Sequence, residues 1–253
     1  MMCVFAFHVF GCSSVYLTGE EERKVTDILS ESYKNENWQT RKEVITNICP
    51  YKSPKAENLL ITALSDIHPA VRIEALNCLQ TKKSSKAKKT IREIAESDSD
   101  YNVRMSAILS LSKYRDPATA PVFVRGLRSD DWLIREESIK GLLMIDDMLI
   151  KQISVPYIIQ ALNDSRINVR LATLENVKIK DKRIYSEISA IINNEENYYK
   201  VNLLNASLKA INGYLLDKTI REKLIGFLTH PYMEIRISAL GVLKKDKELQ
   251  EAD

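Results

Sequence analysis

Cysteine and histidine are the residues of this chain that metal or nucleophilic chemistry would use, and their spacing supports neither. Cys49 and Cys78 stand alone, without a CxxC pair or a histidine at ligand spacing, which argues against a zinc site. The sequence also contains no glycine-rich phosphate loop and no nucleophile elbow. We therefore expect no metal, no cofactor and no catalytic residue.

Cys49 and Cys78 have one other chemical option, a disulfide, which an exported protein could form. They stand at different offsets from two repeated arginines, eight residues after Arg41 and six residues after Arg72. Because the offsets differ, we predict two buried free thiols.

The surroundings of Cys12 predict a modification. Residues 1–11 form an apolar run that is too short to span a bilayer, which requires about 20 helical residues. The run does suit the apolar part of a secretory signal. The sequence Val9-Phe10-Gly11-Cys12 resembles the lipobox of bacterial lipoproteins. That resemblance implies cleavage before Cys12, attachment of a diacylglycerol to its thiol, and a tether over residues 12–20. We expect such a protein in the cell envelope, anchored to the inner or outer membrane.

Two features depart from a normal lipoprotein signal. Phe10 is bulkier than the usual residue beside the cut, and no Lys or Arg precedes the apolar run. The alternative is that residues 1–10 form a short apolar helix or a frayed end packed on the first repeat. The protein would then be unlipidated and cytoplasmic.

A basic residue recurs at nearly constant spacing, and we call it the anchor of each unit. The intervals between successive anchors are 31, 32, 31, 35, 30 and 36 residues. Residues three, four and seven places after each anchor are mostly apolar or small, which is helical spacing. A second apolar segment precedes each anchor, after a polar turn. The seven anchors are Arg41, Arg72, Arg104, Arg135, Arg170, Lys200 and Arg236.

Each unit is therefore a hairpin of two short antiparallel helices. A single hairpin cannot bury its own apolar face, so neighbouring hairpins must stack. Seven glycines and seven prolines in 253 residues are few, which also favours helices over many short strands. The sequence predicts an all-α protein built as an α-solenoid of about seven hairpins.

The repeated core resembles HEAT-repeat proteins, and the short unit is most similar to the variety found in phycobilisome-lyase-type HEAT proteins. The resemblance covers residues 21–246, leaves 247–253 as a C-terminal tail, and implies a right-handed superhelix. The resemblance rests on the pattern L-x-D-x-x-x-x-V-R-x-x-A-L. This pattern is best seen at Leu64, Asp66, Val71, Arg72, Ala75 and Leu76.

The resemblance also implies a role for the repeated charges. In HEAT arrays an Asp six residues before the anchor forms a ladder with Arg along the turns. The alternative is a row of Arg that binds an anionic ligand. The residues assigned to the ladder are Asp66, Arg72, Asp98, Arg104, Arg135, Asp164, Arg170 and Arg236.

Composition argues against nucleic acid as a partner. The formal net charge is only +3, whereas a nucleic-acid-binding domain is usually clearly basic. The second helices line the concave face in HEAT proteins, and their positions two after the anchor are acidic to neutral, the wrong sign for phosphate contacts. Those positions are Glu43, Glu74, Ser106, Glu137, Ala172, Asn202 and Ser238.

We therefore expect a non-catalytic scaffold that binds a protein partner of unspecified identity and is held to a membrane by its lipid anchor. One alternative is an enzyme-accessory or lyase-like HEAT protein that binds a small ligand in its concave face. Another is an unlipidated cytoplasmic adaptor. The expected contact residues are Glu74, Asn77, Met105, Trp132, Glu137 and Lys140.

Overall fold

The computed structural model describes residues 18–246, which form fourteen α-helices and two short 3₁₀ turns, at Pro117–Thr119 and Glu195–Asn197. The expected signal peptide with Cys12, and the tail at 247–253, lie outside these residues. The helices are α1 Gly19–Ser32, α2 Trp38–Ile48, α3 Pro54–Ala63, α4 Pro69–Lys82, α5 Lys88–Ser97, α6 Tyr101–Tyr114, α7 Ala120–Gly126, α8 Trp132–Leu143, α9 Met148–Leu162, α10 Ile167–Asn176, α11 Lys182–Asn193, α12 Val201–Ile211, α13 Lys218–Phe227 and α14 Met233–Leu243.

Helix starts follow from side chains that cap free backbone amides. Thr18 and Glu21 form a capping box at the start of α1. Within the described residues the first helix therefore starts directly after Thr18, ahead of the expected boundary at 21. Most second helices begin after a side-chain cap, for example Asn37 before α2 and Asp100 before α6. Across residues 18–246 no helix is long and apolar enough to span a bilayer.

The helices pair in chain order into seven antiparallel hairpins, from α1–α2 to α13–α14. The prediction of an all-α solenoid is confirmed. Every second helix, from α2 to α12, packs against the second helix of the following hairpin, and the first helices pack less closely on one another. Because the inner row of a curved array is its more tightly packed row, the second helices line the concave side.

The core follows the positions that the anchors define. In every unit the residue three places after the anchor is buried, from Val44 in the first unit to Ala239 in the last. Several of these residues are small, which lets neighbouring helices approach closely. The large apolar residues four and seven places after the anchor fill the space between hairpins, as Leu76 and Leu79 do with no exposed surface.

The sixth hairpin departs from this register. Elsewhere the anchor lies three residues into its helix, as Arg72 does in α4. Here the preceding residues form the turn Glu195–Asn197, and Lys200 is the cap before α12 rather than part of it. Lys200 donates to the Asn197 side chain at 3.1 Å. Lysine at this position therefore does not reproduce the role of arginine.

The prediction that Cys49 and Cys78 are free thiols is wrong, because the two residues form a disulfide with Cα atoms 5.4 Å apart. Cys49 ends α2 and Cys78 lies in α4, so the bond joins the first two hairpins. Cys49 lies on the side of α2 that faces the second hairpin, and Cys78 lies on the side of α4 that faces the first hairpin. Residues on these two opposite sides stand at different distances from their anchors. Two cysteines that meet across this junction must therefore have different offsets.

Reduction of this disulfide should destabilise the protein. The bond closes a loop with a sequence separation of 29 residues, and loss of a cross-link of that length costs about 3.6 kcal/mol of unfolding free energy. The measurement is urea unfolding with and without dithiothreitol. A Cys49→Ser/Cys78→Ser variant is the control and should not respond to reductant. An unchanged midpoint for the wild-type chain would contradict the cross-link.

Candidate interaction surface and its supporting ladder

Anchor arginines hold the turn between the two helices of their own hairpin. In five units the guanidinium Nη1 donates to the carbonyl oxygens six and five residues before it. Arg72, for example, donates to Asp66 O at 2.8 Å and to Ile67 O at 3.3 Å. These carbonyls end the first helix or belong to the turn and lack intrahelical donors. The arginines are Arg41, Arg72, Arg104, Arg135 and Arg236.

Three of these arginines also reach the following hairpin. Arg72 Nε and Nη2 donate to the two carboxylate oxygens of Asp98 at 2.9 and 2.7 Å. The same two-bond geometry joins Arg41 to Asp66 and Arg135 to Asp164. Each aspartate therefore accepts from the arginine of the preceding unit. The backbone carbonyls of Asp66 and Asp98 also accept from the arginine of their own unit. Bidentate pairs of this kind are strong and directional.

The first rung is the most enclosed. Asp66 accepts from Arg41 Nε at 2.7 Å, from Tyr33 Oη at 2.7 Å and from His68 N–H at 2.9 Å. Burial alone would raise the pKa of the Asp66 carboxyl, but these hydrogen bonds and the Arg41 charge lower it to about 2. The carboxylate is thus held ionised by its partners. His68 Nδ1 accepts from Ala70 N–H, and its ring stacks on Trp38, which is a structural role.

The ladder lacks its inter-hairpin ion pair at three of the six junctions, one of which follows Lys200, where His230 stands at the acceptor position. Arg104 bonds only to turn carbonyls among the described residues, because Ser129 occupies the acceptor position of the next unit. Arg170 makes neither kind of bond, and its buried Nε has no partner within residues 18–246. Asn194 stands at its acceptor position and instead caps the following turn by accepting from Glu196 N–H. The assignment of Arg170 to the ladder is therefore corrected.

The ladder contacts argue against the alternative that these arginines form a row that binds an anionic ligand. Arg41, Arg72 and Arg135 use their guanidinium donors on carbonyls and aspartates, and little of their side-chain surface is exposed. An arginine whose donors are satisfied internally has little to offer a ligand. These residues position the hairpins rather than form the candidate surface.

The solvent-facing side of the second helices forms a continuous surface along the concave side. One residue from each of the first six hairpins, five places after the anchor, lies on it, and we call this set the groove row. Its members are exposed or half-buried. They are Thr46, Asn77, Leu109, Lys140, Glu175 and Asn205.

The six expected contact residues differ in their accessibility. Asn77 is exposed in the groove row, and Glu74 is half-buried beside it. Met105 and Trp132 are half-buried and pack against the core, so the indole does not stand on an exposed ridge.

Lys140 and Glu137 form an ion pair with each other at 2.8 Å. Partial burial would lower the pKa of Lys140, but hydrogen bonds to Glu136 and Glu137 raise it. Lys140 therefore stays protonated within the groove row, with its charge paired to two glutamates.

Sequence reasoning named Asn77 and Lys140 and missed the other four members of the groove row. Of these, Thr46, Leu109 and Glu175 are exposed and Asn205 is half-buried. The position two after the anchor guided the sequence reading, but this position is buried at Ala172 and half-buried in the central units. Counting five residues from each anchor would have found all four.

A separate cavity of about 450 Å³ lies at the C-terminal ends of α8 and α10, beside the start of α9. Its charged groups are Arg115, Asp146, Lys151 and Lys178. Asp146 is paired with Lys151, whose hydrogen bond lowers the pKa of the Asp146 carboxyl. One ionised carboxylate among three cations suits an anion better than it suits proton transfer, which needs a group poised between protonation states.

One family model matches part of this chain. The family model for HEAT repeats matches residues 24–112 and 68–143. Within the described chain no group of three or more His, Cys, Asp or Glu side chains could hold a metal ion. No curated protein sequence matches this chain.

Three solved structures show the same fold at low identity. YibA from E. coli is 22% identical, with a TM-score of 0.63, over 88% of this chain and 82% of that one. An archaeal HEAT-like repeat protein from Thermococcus onnurineus is 15% identical, with a TM-score of 0.55, over 90% and 97%. The CpcE–CpcF complex of phycocyanin lyase from Nostoc is 15% identical, with a TM-score of 0.53, over 94% and 98%.

The two kinds of anchor predict different costs of substitution. Arg72→Ala should lower the unfolding free energy by about 1.5–3 kcal/mol, because it leaves Asp98 and two turn carbonyls without their donor. Arg170→Ala should cost about 1 kcal/mol or less, because Arg170 makes no such bonds. Chemical denaturation of both variants measures the difference. Equal costs would count against the ladder as the source of stability.

Proposed function

Since residues 24–143 match HEAT repeats and stacked hairpins of the same design continue to α14, we propose that this protein is a non-catalytic scaffold. It binds a protein partner along the groove row. Cys12 carries a lipid that tethers it to a membrane of the cell envelope.

The observation that carries this proposal is the groove row itself. It presents one side chain from each of six consecutive hairpins on the concave side. Because the hairpins stack one after another, this surface is long. A partner would bind it through many contacts rather than in one deep pocket. Leu109 is an exposed leucine in this row, and covering its side chain with a partner would remove apolar surface from water.

The charges on this surface favour a polypeptide over a polyanion. Lys140 and Glu175 are neighbours in the groove row, and uncharged Asn77 and Asn205 lie towards its ends. A surface of mixed sign with amide groups can pair with both charges of a protein and with its backbone. A nucleic acid would require predominantly positive charge.

The disulfide supports the envelope location. Structural disulfides persist in oxidising compartments and are rare in the cytoplasm. Cys49 and Cys78 are joined between two hairpins, as suits a protein exported before it folds. The lipidation of Cys12 rests on the sequence Val9-Phe10-Gly11-Cys12.

Site-specific crosslinking tests the groove row as the partner surface. A photoreactive residue at Leu109 should capture a discrete partner in intact cells. The same residue at Ile153, an exposed position on the outer helix α9, should capture it at least about tenfold less. Equal capture at both positions, or capture only from Ile153, would contradict the proposal. Small-molecule binding lost in Lys178→Ala, with no crosslink from Leu109, would favour the ligand-binding alternative.

The anchor is tested separately by the Cys12→Ala variant. The wild-type protein should fractionate with membranes and show a diacylglycerol-modified Cys12 at its mature N-terminus by mass spectrometry. The variant should lose the modification and its detergent-phase partitioning, because one lipidated cysteine supplies the stable anchor. An intact Met1 on the native protein would instead support the cytoplasmic adaptor.

A further inference from the structure

The three ladder aspartates bind in the same way at the turn that each one begins. One carboxylate oxygen, Oδ1, accepts from the backbone N–H two residues later and from Nη2 of the preceding arginine. The other oxygen, Oδ2, accepts from Nε of that arginine. A ladder position therefore requires two acceptor oxygens, one of which also caps the turn. The aspartates are Asp66, Asp98 and Asp164.

Asn194 occupies the equivalent position and keeps only half of this arrangement. Its Oδ1 accepts from the N–H of Glu196, two residues later, at 2.9 Å. The second polar atom of its amide is a nitrogen, which donates hydrogen bonds and cannot accept one from a guanidinium. Arg170 of the preceding hairpin therefore meets no carboxylate, and none of its N–H groups has a partner within residues 18–246.

A cavity of about 240 Å³ lies beside Arg170, between the fifth and sixth hairpins. Its cations are Arg170 and Lys200, and its carboxylates are Glu187 and Glu196. Glu187 accepts from Asn163 Nδ2 at 2.8 Å. Neither glutamate forms an ion pair with Arg170 within the described chain. The cavity therefore places an unpaired guanidinium beside a space that a ligand can enter.

We propose that this cavity binds an acidic side chain of a polypeptide ligand. The carboxylate of that side chain supplies Arg170 with the acceptor that a ladder aspartate supplies at other junctions. Only Nε of the Arg170 guanidinium is fully enclosed, so its Nη nitrogens are the donors that the carboxylate reaches. A guanidinium can form two parallel hydrogen bonds to one carboxylate. This site is separate from the groove row and does not depend on it.

The size and the charge of the cavity favour this ligand. Pockets for cofactors and drug-sized molecules usually have about 300–1000 Å³, so 240 Å³ suits one side chain rather than a cofactor. A phosphate carries about two negative charges, which Glu187 and Glu196 would repel more strongly than the single charge of a carboxylate. The amides of Asn163 and Asn194 also line the cavity and can bond to the backbone of a peptide.

The junction between the third and fourth hairpins also lacks a ladder aspartate but does not repeat this combination. Nη1 of Arg104 donates to two turn carbonyls, so this guanidinium is partly satisfied. The cavity beside it is smaller, about 140 Å³, and is lined by the ion pair of Arg125 with Glu96. Arg170 is therefore the better candidate for a carboxylate from another molecule.

An NMR titration tests the site on the ¹⁵N-labelled full chain with Cys12→Ala, produced in an oxidising cytoplasm. The probes are a capped peptide Gly-Gly-Glu-Gly-Gly, its glutamine counterpart and acetate, at constant ionic strength. The glutamate peptide should shift the Arg170 Nε–H signal saturably and bind at least about tenfold more tightly than the glutamine peptide. Arg170→Ala removes no hydrogen bond within the described chain, identifies this signal and should weaken binding by a similar factor.

Two further variants separate the site from general charge effects. Arg166→Ala removes an exposed arginine four residues earlier and should leave peptide binding unchanged. Asn194→Asp restores the ladder aspartate, since aspartate can cap the same turn and also accept from Arg170. This variant should raise the midpoint of urea unfolding and abolish the response of the Arg170 signal to the glutamate peptide.

An Arg170 signal that does not respond, or equal binding of the two peptides, would overturn the proposal. Peptide binding that survives Arg170→Ala or Asn194→Asp, or that is lost equally in Arg166→Ala, would also overturn it. Acetate that binds as tightly as the glutamate peptide would assign the site to a free small carboxylate and would overturn the polypeptide ligand. All of these results come from the isolated protein, so they are independent of crosslinking from Leu109 and either proposal can fail alone.

Discussion

Every hairpin in this protein depends on its neighbours to cover its apolar side chains. The residues three, four and seven places after each anchor lie on the sides of the second helix, where only adjacent hairpins can reach them. Burying one Leu or Ile side chain contributes about 1.5–3 kcal/mol, and each interior hairpin buries several. Stability therefore accumulates along the array rather than around one centre. The ion pairs and the disulfide therefore act by strengthening or leaving weaker the contact between neighbouring hairpins.

The arginine ladder strengthens some junctions between hairpins and not others. Arg41–Asp66, Arg72–Asp98 and Arg135–Asp164 join consecutive hairpins by bidentate ion pairs. The first junction also has the disulfide between Cys49 and Cys78. The other three junctions have Ser129, Asn194 and His230 in place of the aspartate. The N-terminal hairpins are thus fastened more firmly than the junction that follows α10, where the buried Nε of Arg170 has no hydrogen-bond partner within the described chain.

The same stacking rule explains two kinds of accessible side chain. The groove row lies on the side of the second helices that points away from both neighbouring hairpins, so its members are exposed or half-buried and are free to vary between units. Leu240 is exposed for a different reason, because no described hairpin follows α14.

The sequence by itself determined the helical hairpins, their number and most of the core. Apolar residues at helical spacing and a regular anchor leave few other ways to bury those side chains. It also indicated the ladder, although the inter-unit ion pair forms only where the following unit supplies an aspartate six residues before its anchor. Arg170 lacks that partner because Asn194 is committed to capping a turn.

Only the tertiary structure decided which side chains face each other across a junction. An offset from the anchor gives a position along one helix. A contact between hairpins joins the side of one helix that faces the next hairpin to the opposite side of the helix in that hairpin. Comparing equal offsets therefore missed the pairing of Cys49 with Cys78. The accessibility of Trp132 and Leu109 was likewise undetermined, because an apolar residue is buried only where its side of the helix faces a neighbouring hairpin.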